Sequence, residues 1–325
     1  MVRFAVIGTN FITDSLLEAG AECEGFKAQA VYSRTMERAK EYAGKYGIKD
    51  CYDSLEDLAK APDIDAVYVA SPNALHASQS IQMMEAGKHV LCEKTIASNS
   101  RELKEMLEAA ERNHVVLLEA MRPVFDPGFA AIQENLPRLG KIRRATFQYC
   151  QYSRRYDHFK EGIIENAFKP ELSNGALMDI GVYCVHPLVK LFGKPKEVYA
   201  HGLKLSTGVD GSAVIVAMYE EMQAELLYAK ITQSALPSQI QGEEASMIIR
   251  EIPDTTSIEI VKRDGTSKKI DIRKKENNMY YEVEEFIRLI EEKKSAREHN
   301  QYSVWSLEIM DEARRQMGIH FPADE

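Results

Sequence analysis

The residues with the most chemistry in this 325-residue chain are a lysine at the end of an apolar run and an aspartate–tyrosine pair four positions apart. Glu93-Lys94-Thr95 directly follows the apolar run 89–92. A lysine placed just after a buried strand is held by the backbone near the ligand crevice. There its charge lowers the pKa of a neighbouring hydroxyl or donates to a substrate oxygen. The same two residues also suit a local Glu93–Lys94 salt bridge at a helix entry. In Gly175-Ala-Leu-Met-Asp179-Ile-Gly-Val-Tyr183-Cys-Val-His186, helical spacing puts Asp179, Tyr183 and His186 on one side. A phenol needs a nearby cation to exchange protons near neutrality. Without one, Tyr183 and His186 read as packing residues.

Other polar residues fall where an open parallel sheet binds a dinucleotide. The first strand-to-helix turn is Gly8-Thr9-Asn10-Phe11-Ile12, which keeps only the first glycine of a Gly-x-Gly-x-x-Gly fingerprint. Asparagine tolerates the left-handed backbone such a turn can demand, so backbone N–H groups aimed at a pyrophosphate remain compatible with it, as does a plain turn. After the second strand stand Ser33-Arg34-Thr35, with Arg38 one turn on. Two hydroxyls and a guanidinium suit the 2′-phosphate of NADP better than the ribose hydroxyl of NAD, which stays a second choice. The alternative is that Arg34 and Arg38 line a solvated helix face. A third strand end carries Ser71-Pro72-Asn73 and, three residues on, His76, which fits a structural helix start better than a catalyst.

These residues require a scaffold, and the hydrophobic pattern supplies one. Short apolar, β-branched runs at 2–8, 28–33, 66–71, 89–92 and 115–119 alternate with helix-like stretches. The clearest of these is 98–110, with Asn99 and Glu102 as a capping box. Strand alternating with helix predicts a doubly wound parallel sheet in an α/β domain over residues 1–121. Beyond it, period-2 runs at 145–151, 197–205, 213–219, 224–231, 247–251, 257–263 and 268–272 predict a mostly antiparallel, open sheet in an α+β domain over 122–325. Asp264-Gly265 reads as a type I′ hairpin. A helical insert spans 175–192, and amphipathic helices at 279–293 and 303–317 end the chain, free to pack back across the boundary.

Composition narrows the partners. Fifty acidic against forty-one basic side chains give a net charge of −9, which disfavours nucleic acid. Five irregularly spaced cysteines match neither a disulfide framework nor a metal site. No signal-peptide pattern opens the chain and no apolar run approaches membrane-spanning length, so the expected setting is the cytoplasm, with a small molecule as partner.

Taken in order, AVIGTNFI, VYSR, SPNALH, CEKT, LLEAMR and NGALMDIGVYCVHPL resemble the glucose-fructose oxidoreductase and inositol dehydrogenase (Gfo/Idh/MocA) family over nearly the whole chain. Thr95 stands where the family's Glu-Lys-Pro signature has proline, and Asn10 where its turn has a second glycine. Asp179-x-x-x-Tyr183 replaces the Asp-x-x-x-His of the inositol dehydrogenase branch, which argues against inositol as substrate. The resemblance implies a Rossmann domain, a C-terminal sheet used for homodimerisation, and hydride exchange between nicotinamide and a carbinol or carbonyl carbon of a sugar, polyol or diol. It makes Tyr183 the proton-transfer group, with Lys94 lowering its pKa and Asp179 binding substrate hydroxyls or positioning the lysine. Asn73 and His76 would lie beside the nicotinamide ribose, while Arg154, Arg155, Tyr156 and His186 would border the substrate. A catalytically silent NAD(P)-binding regulator of the same fold is the alternative.

Overall fold

Six strands form the first sheet: β1 Val2–Ile7, β2 Phe26–Tyr32, β3 Asp50–Tyr52, β4 Ala66–Val69, β5 His89–Glu93 and β6 Leu117–Ala120. Their order is β3-β2-β1-β4-β5-β6 and every pair is parallel. Parallel neighbours require a crossover each time, and helices α1 Phe11–Ala21, α2 Met36–Tyr46, α3 Leu55–Lys60, α4 His76–Glu85 and α5 Ser100–Arg112 accompany the strands. β4 is buried at all four positions, as a strand covered on both faces must be. Side chains fix the helix starts: Thr35 accepts from Arg38 N–H, Ser54 from Asp57 N–H and Asn99 from Glu102 N–H. The Glu102 carboxylate reaches back to Ser98 N–H at 2.8 Å, and with Asn99 as N-cap α5 starts at Ser100, two residues later than its periodicity predicts. β3 was absent from the apolar runs because Asp50-Cys51-Tyr52 is a half-buried edge strand.

The computed structural model describes residues 1–325 and separates into two units, Met1–Ala120 with Lys275–Val304, and Met121–Lys274 with Trp305–Glu325. The second unit holds β7 Ile142–Cys150, β8 Glu197–Lys204, β9 Asp210–Met218, β10 Gln223–Ala229, β11 Ser238–Gly242, β12 Ala245–Arg250, β13 Ser257–Lys262 and β14 Ser267–Ile270. They form one sheet in the order β14-β13-β12-β11-β7-β10-β9-β8. Alternation selects its faces: Ala145 and Phe147 of β7, Ala224 and Leu226 of β10, and Met247 and Ile249 of β12 are buried, while their neighbours in the strand are not. The sheet is mostly antiparallel, as expected, with one parallel pair, β7 with β10, across its middle. Pairing direction is a property of the connection, not of the strand's own pattern. β11 was also missed, since Ser238-Gln-Ile-Gln-Gly buries only Ile240 as a large apolar residue.

The Asp264-Gly265 hairpin forms, but with a three-residue loop: Gly265 N–H donates to Lys262 O and Lys262 N–H to Thr266 O. Gly265 has φ +85 and Asp264 is not left-handed, so the turn is type I closed by a glycine bulge rather than type I′. Helices α6 Pro127–Asn135, α7 Arg154–Lys160 and α8 Val182–Phe192 belong to this unit, and a π-helical segment, Leu177–Gly181, runs into α8. The stretch Pro170–Phe192 is long and apolar enough to cross a membrane, contrary to the expectation that no such run exists. It is mostly buried inside the unit, as the core helix of a folded domain is.

Two helices close the chain. α9 Met279–Glu291 lies in the first unit, where Phe286 meets Phe4 of β1 at 5.8 Å between ring centroids. α10 Arg297–Met317 starts six residues before its predicted start and is divided between the units after Val304.

The start of the π segment depends on one buried carboxylate. Asp210 accepts from Leu177 N–H at 2.7 Å, and Gly175, at φ +147, leaves room for it, because a Cβ there would fall 2.4 Å from Asp210 Oδ1. Asp210→Ala strands a buried N–H at a cost of about 1–3 kcal/mol. Thermal denaturation should then show a melting temperature a few degrees below wild type.

Candidate active site

The turn after β1 is built for close approach. Gly8 has φ +115, and a Cβ would stand 2.6 Å from the carbonyl oxygen of Ala70 after β4. Asn10 performs two tasks: its Nδ2 donates to that same carbonyl at 3.0 Å, and its Oδ1 accepts from Ile12 and Thr13 N–H, capping α1. Its own φ is −114, so it serves as an N-cap and not as a left-handed substitute for glycine. The backbone N–H groups of Thr9, Asn10 and Phe11 have no partner in the protein. Three unpartnered donors at the start of an eleven-residue helix, beside a glycine that admits no side chain, fit a dinucleotide pyrophosphate.

At the end of β2 the two arginines separate in role. Arg38 donates from Nε to Thr9 Oγ1 at 3.2 Å and from Nη2 to Thr9 O at 3.1 Å, and pairs with Glu41. It fastens α2 to the first turn. Arg34 is exposed and has no ion pair, beside Ser33 and the N-cap residue Thr35. Its guanidinium is the one of the two available to a phosphate.

The ends of β4 and β5 are tied together. His76 is buried, with Nδ1 2.9 Å from Thr95 O and Nε2 2.8 Å from Ser71 O. Burial holds its pKa below the usual histidine value, and a neutral ring can donate to only one of two carbonyls. With both nitrogens facing the backbone, His76 acts on a ligand only through the loops it staples. Ser71 Oγ donates to Gln79 at 2.7 Å, and Pro72 precedes the single turn Asn73–Leu75. Glu93 is buried; it accepts from the Tyr68 hydroxyl at 2.5 Å and from Lys94 N–H at 3.2 Å. The Lys94–Thr95 peptide is cis.

One further residue, which sequence reasoning missed as a site component, fixes this loop. Glu119 of β6 accepts from Ile96 N–H at 3.1 Å and from Ser303 Oγ at 2.5 Å. Burial pushes its carboxyl up to about 7, and those two donors pull it partway back.

In the second unit, Asp179 lies in the π segment and Tyr183 in the first turn of α8. A π turn holds more residues than an α turn, so positions four apart across this junction share a face. Tyr183 is 6% exposed. Its ring meets Tyr149 edge-on at 5.7 Å, and the Arg122 guanidinium stands 5.9 Å from its centroid. Asp179 pairs with the ammonium of Lys230, which is buried directly after β10. Neither Arg122 nor Lys230 was foreseen. Lys230 was readable, because it falls on the same parity as the inward-facing Ala224, Leu226 and Tyr228 and is the one charge in that row. His186 is buried in α8.

The remaining substrate candidates are mostly committed elsewhere. Arg155 pairs with Glu165 at 3.5 Å. Tyr156 stacks on Phe159 at 5.9 Å and meets Phe168 at 6.2 Å, with the Lys160 ammonium 5.6 Å from its ring. Arg154 is exposed at the start of α7. No three His, Cys, Asp or Glu side chains converge as metal ligands.

A parallel sheet in the order 3-2-1-4-5-6 with a glycine-led first turn of unpartnered N–H groups, joined in sequence to an open mixed sheet, defines a dinucleotide-dependent oxidoreductase class. Comparison makes this specific. Residues 2–121 match the Gfo/Idh/MocA oxidoreductase family with its NAD-binding Rossmann fold, and residues 135–248 match the GFO/IDH/MocA C-terminal domain. The chain belongs to this family. It is 49% identical to the scyllo-inositol 2-dehydrogenase (NADP(+)) of Bacillus subtilis over 100% of both chains. To a trans-1,2-dihydrobenzene-1,2-diol dehydrogenase of Xenopus laevis it is 32% identical over 90% of each. A solved 3-ketoreductase from Actinomadura kijaniata, KijD10, shares the fold with a TM-score of 0.87, at 20% identity and 99% coverage of both chains.

Glu119 sets a measurable pH dependence. Its folded-state pKa, about 7, lies above the ordinary carboxyl value, so between about pH 4.5 and 7 the folded protein binds more protons than the unfolded chain. Stability therefore falls as pH rises through that window and stays low above it. Buried Asp210, pushed up to about 6, acts in the same direction. Glu119→Gln should flatten the fall in melting temperature between pH 5 and 8 relative to wild type, leaving the Asp210 contribution.

Proposed function

We propose that this protein is an NADP-dependent dehydrogenase or reductase that exchanges hydride with a carbinol or carbonyl carbon of a polyol, sugar or diol, using Tyr183 for the proton. The observation that carries the reading is Tyr183 itself: a buried phenol with a guanidinium 5.9 Å from its ring centroid and an aspartate one turn earlier on the same face. Oxidation of a carbinol needs a positioned group to take the hydroxyl proton as the hydride leaves. Bound NADP supplies the hydride acceptor at the nicotinamide ring. Tyr183 takes the hydroxyl proton during oxidation and returns it during reduction. Lys94, fixed in place by the Glu93, His76 and Glu119 contacts around it, is the cation at the carboxyl edge of the first sheet that donates to the substrate oxygen. Asp179 accepts hydrogen bonds from adjacent substrate hydroxyls.

The cofactor preference rests on Arg34, an unpaired guanidinium flanked by two hydroxyl side chains at the end of β2. The named activity of the Bacillus subtilis relative supports NADP as well, and it restores an inositol to the substrate range that Tyr183 in place of histidine had argued against. The diol dehydrogenase relatives support a vicinal alcohol more generally. The same reading takes the protein to act in the cytoplasm as a homodimer through the open face of the second sheet, where Tyr199 and Leu203 of edge strand β8 are more than half exposed.

Two measurements test this. Tyr183→Phe and Lys94→Ala should each lower kcat by at least about a hundredfold with NADP affinity nearly unchanged. Wild-type turnover in either variant refutes the assignment. Arg34→Ala should weaken NADP by about tenfold while leaving NAD within about twofold, as expected for a lost charge-assisted bond to the 2′-phosphate. Tighter binding of NAD than NADP by the wild-type protein overturns the preference.

A further inference from the structure

We propose that Lys230 is a specificity-determining residue, which with Asp179 forms a donor–acceptor clamp for adjacent hydroxyls and selects a ring polyol over a simple diol. The inference rests on the reading of Asp179 as a substrate-facing group. Lys230 follows β10, and its main chain is fixed on both sides: its N–H donates to Gly211 O at 2.8 Å and its carbonyl accepts from Ser153 N–H at 2.9 Å. Its side chain is 7% exposed, and its ammonium bonds only to Asp179 Oδ2. An ammonium has three donors, so two N–H bonds of a nearly buried charge are left unused. Leaving such donors unmade is costly. Asp179, by contrast, keeps 26% of its side chain accessible.

The chemistry of the pair follows from this. A carboxylate only accepts and an ammonium only donates. One hydroxyl that donates to Asp179 therefore places the neighbouring oxygen of a vicinal diol where Lys230 can donate to it. A compound with a single reacting diol can use this clamp only by withdrawing a hydroxyl from Tyr183. A cyclohexane polyol presents a hydroxyl on every carbon, so one oxygen meets the phenol while its neighbours fill the clamp. Unfilled buried donors discriminate strongly against a ligand that lacks the matching groups. Lys230 also balances the Asp179 charge, and a neutral side chain in its place leaves that carboxylate unpaired by Lys230.

Binding, not turnover, tests this, so that a failure of the Tyr183 assignment leaves the test intact. Titration calorimetry on the NADP-loaded protein compares scyllo-inositol with trans-1,2-cyclohexanediol, which has the same ring with four fewer hydroxyls. Wild type should bind the hexol at least about tenfold more tightly. Lys230→Met should bring that ratio to within about threefold by weakening the hexol alone, and Lys230→Arg should restore most of it. A wild-type ratio near one, an absence of hexol binding, or a parallel loss of both ligands in Lys230→Met overturns the inference. A lysine with a purely structural role predicts the parallel loss together with a lowered melting temperature in both variants.

Discussion

A strand covered on both faces has room for a polar group only at its ends, and most of the first unit is a consequence of that limit. The parallel sheet is filled by Phe4, Val67, Tyr68, Leu91 and residues like them. Hydrogen-bonding and charged groups are displaced to the carboxyl edge: Gly8 and Asn10 after β1, Ser33 and Arg34 after β2, Ser71 after β4, Glu93 and Lys94 at the end of β5. Tyr68 and Glu119 lie within strands, and each is satisfied there, the Tyr68 hydroxyl by Glu93 and the Glu119 carboxylate by Ile96 N–H and Ser303. The loops at this edge are then fastened by contacts running sideways from one to the next, His76 between Ser71 and Thr95 and Glu119 onto Ile96. Each ties backbone to a buried side chain, which keeps the loops in one conformation at a point where the sheet itself no longer holds them.

The second unit meets a different constraint. Its sheet buries one face more than the other, so charges that enter the buried side need a partner in place. Asp210 takes the first N–H groups of the helical insert, Lys230 takes Asp179, and Lys274 takes Asp126 and Asp254. Two of these arrangements bracket Asp179 and Tyr183: one starts the helix that carries them, and the other holds the carboxylate. The π segment between Asp210 and Tyr183 is where the helix departs from regular geometry, a feature often found at functional sites.

The departures from the family pattern also have physical accounts. Asn10 replaces a glycine yet ties the turn to Ala70 and caps α1, so the turn exchanges flexibility for a side chain that does the fastening. Tyr183 stands where the inositol dehydrogenase branch has histidine, and its ring packs edge-on against Tyr149 with the Arg122 guanidinium beside it.

By itself, the sequence determined that there are two sheets, that the first is parallel, and where the chemistry-bearing side chains attach, because burial imposes a period on the chain that any reader of hydrophobicity can follow. Lys94 at the end of a strand and Asp179 with Tyr183 on one helical face came from that local order. The parallel pairing of β7 with β10, the edge strands β3 and β11, and the three-residue loop at Asp264 did not, since each depends on which segments meet rather than on what each contains. The same reason separates the two arginines after β2. Identical in type and four apart, they differ only because tertiary contacts commit Arg38 to Thr9 and leave Arg34 exposed. Partners distant in the chain, such as Lys230 for Asp179 and Ser303 for Glu119, leave no periodic trace that names them. Only folding brings them together, and it is their contacts that turn a set of plausible residues into a site with defined charges.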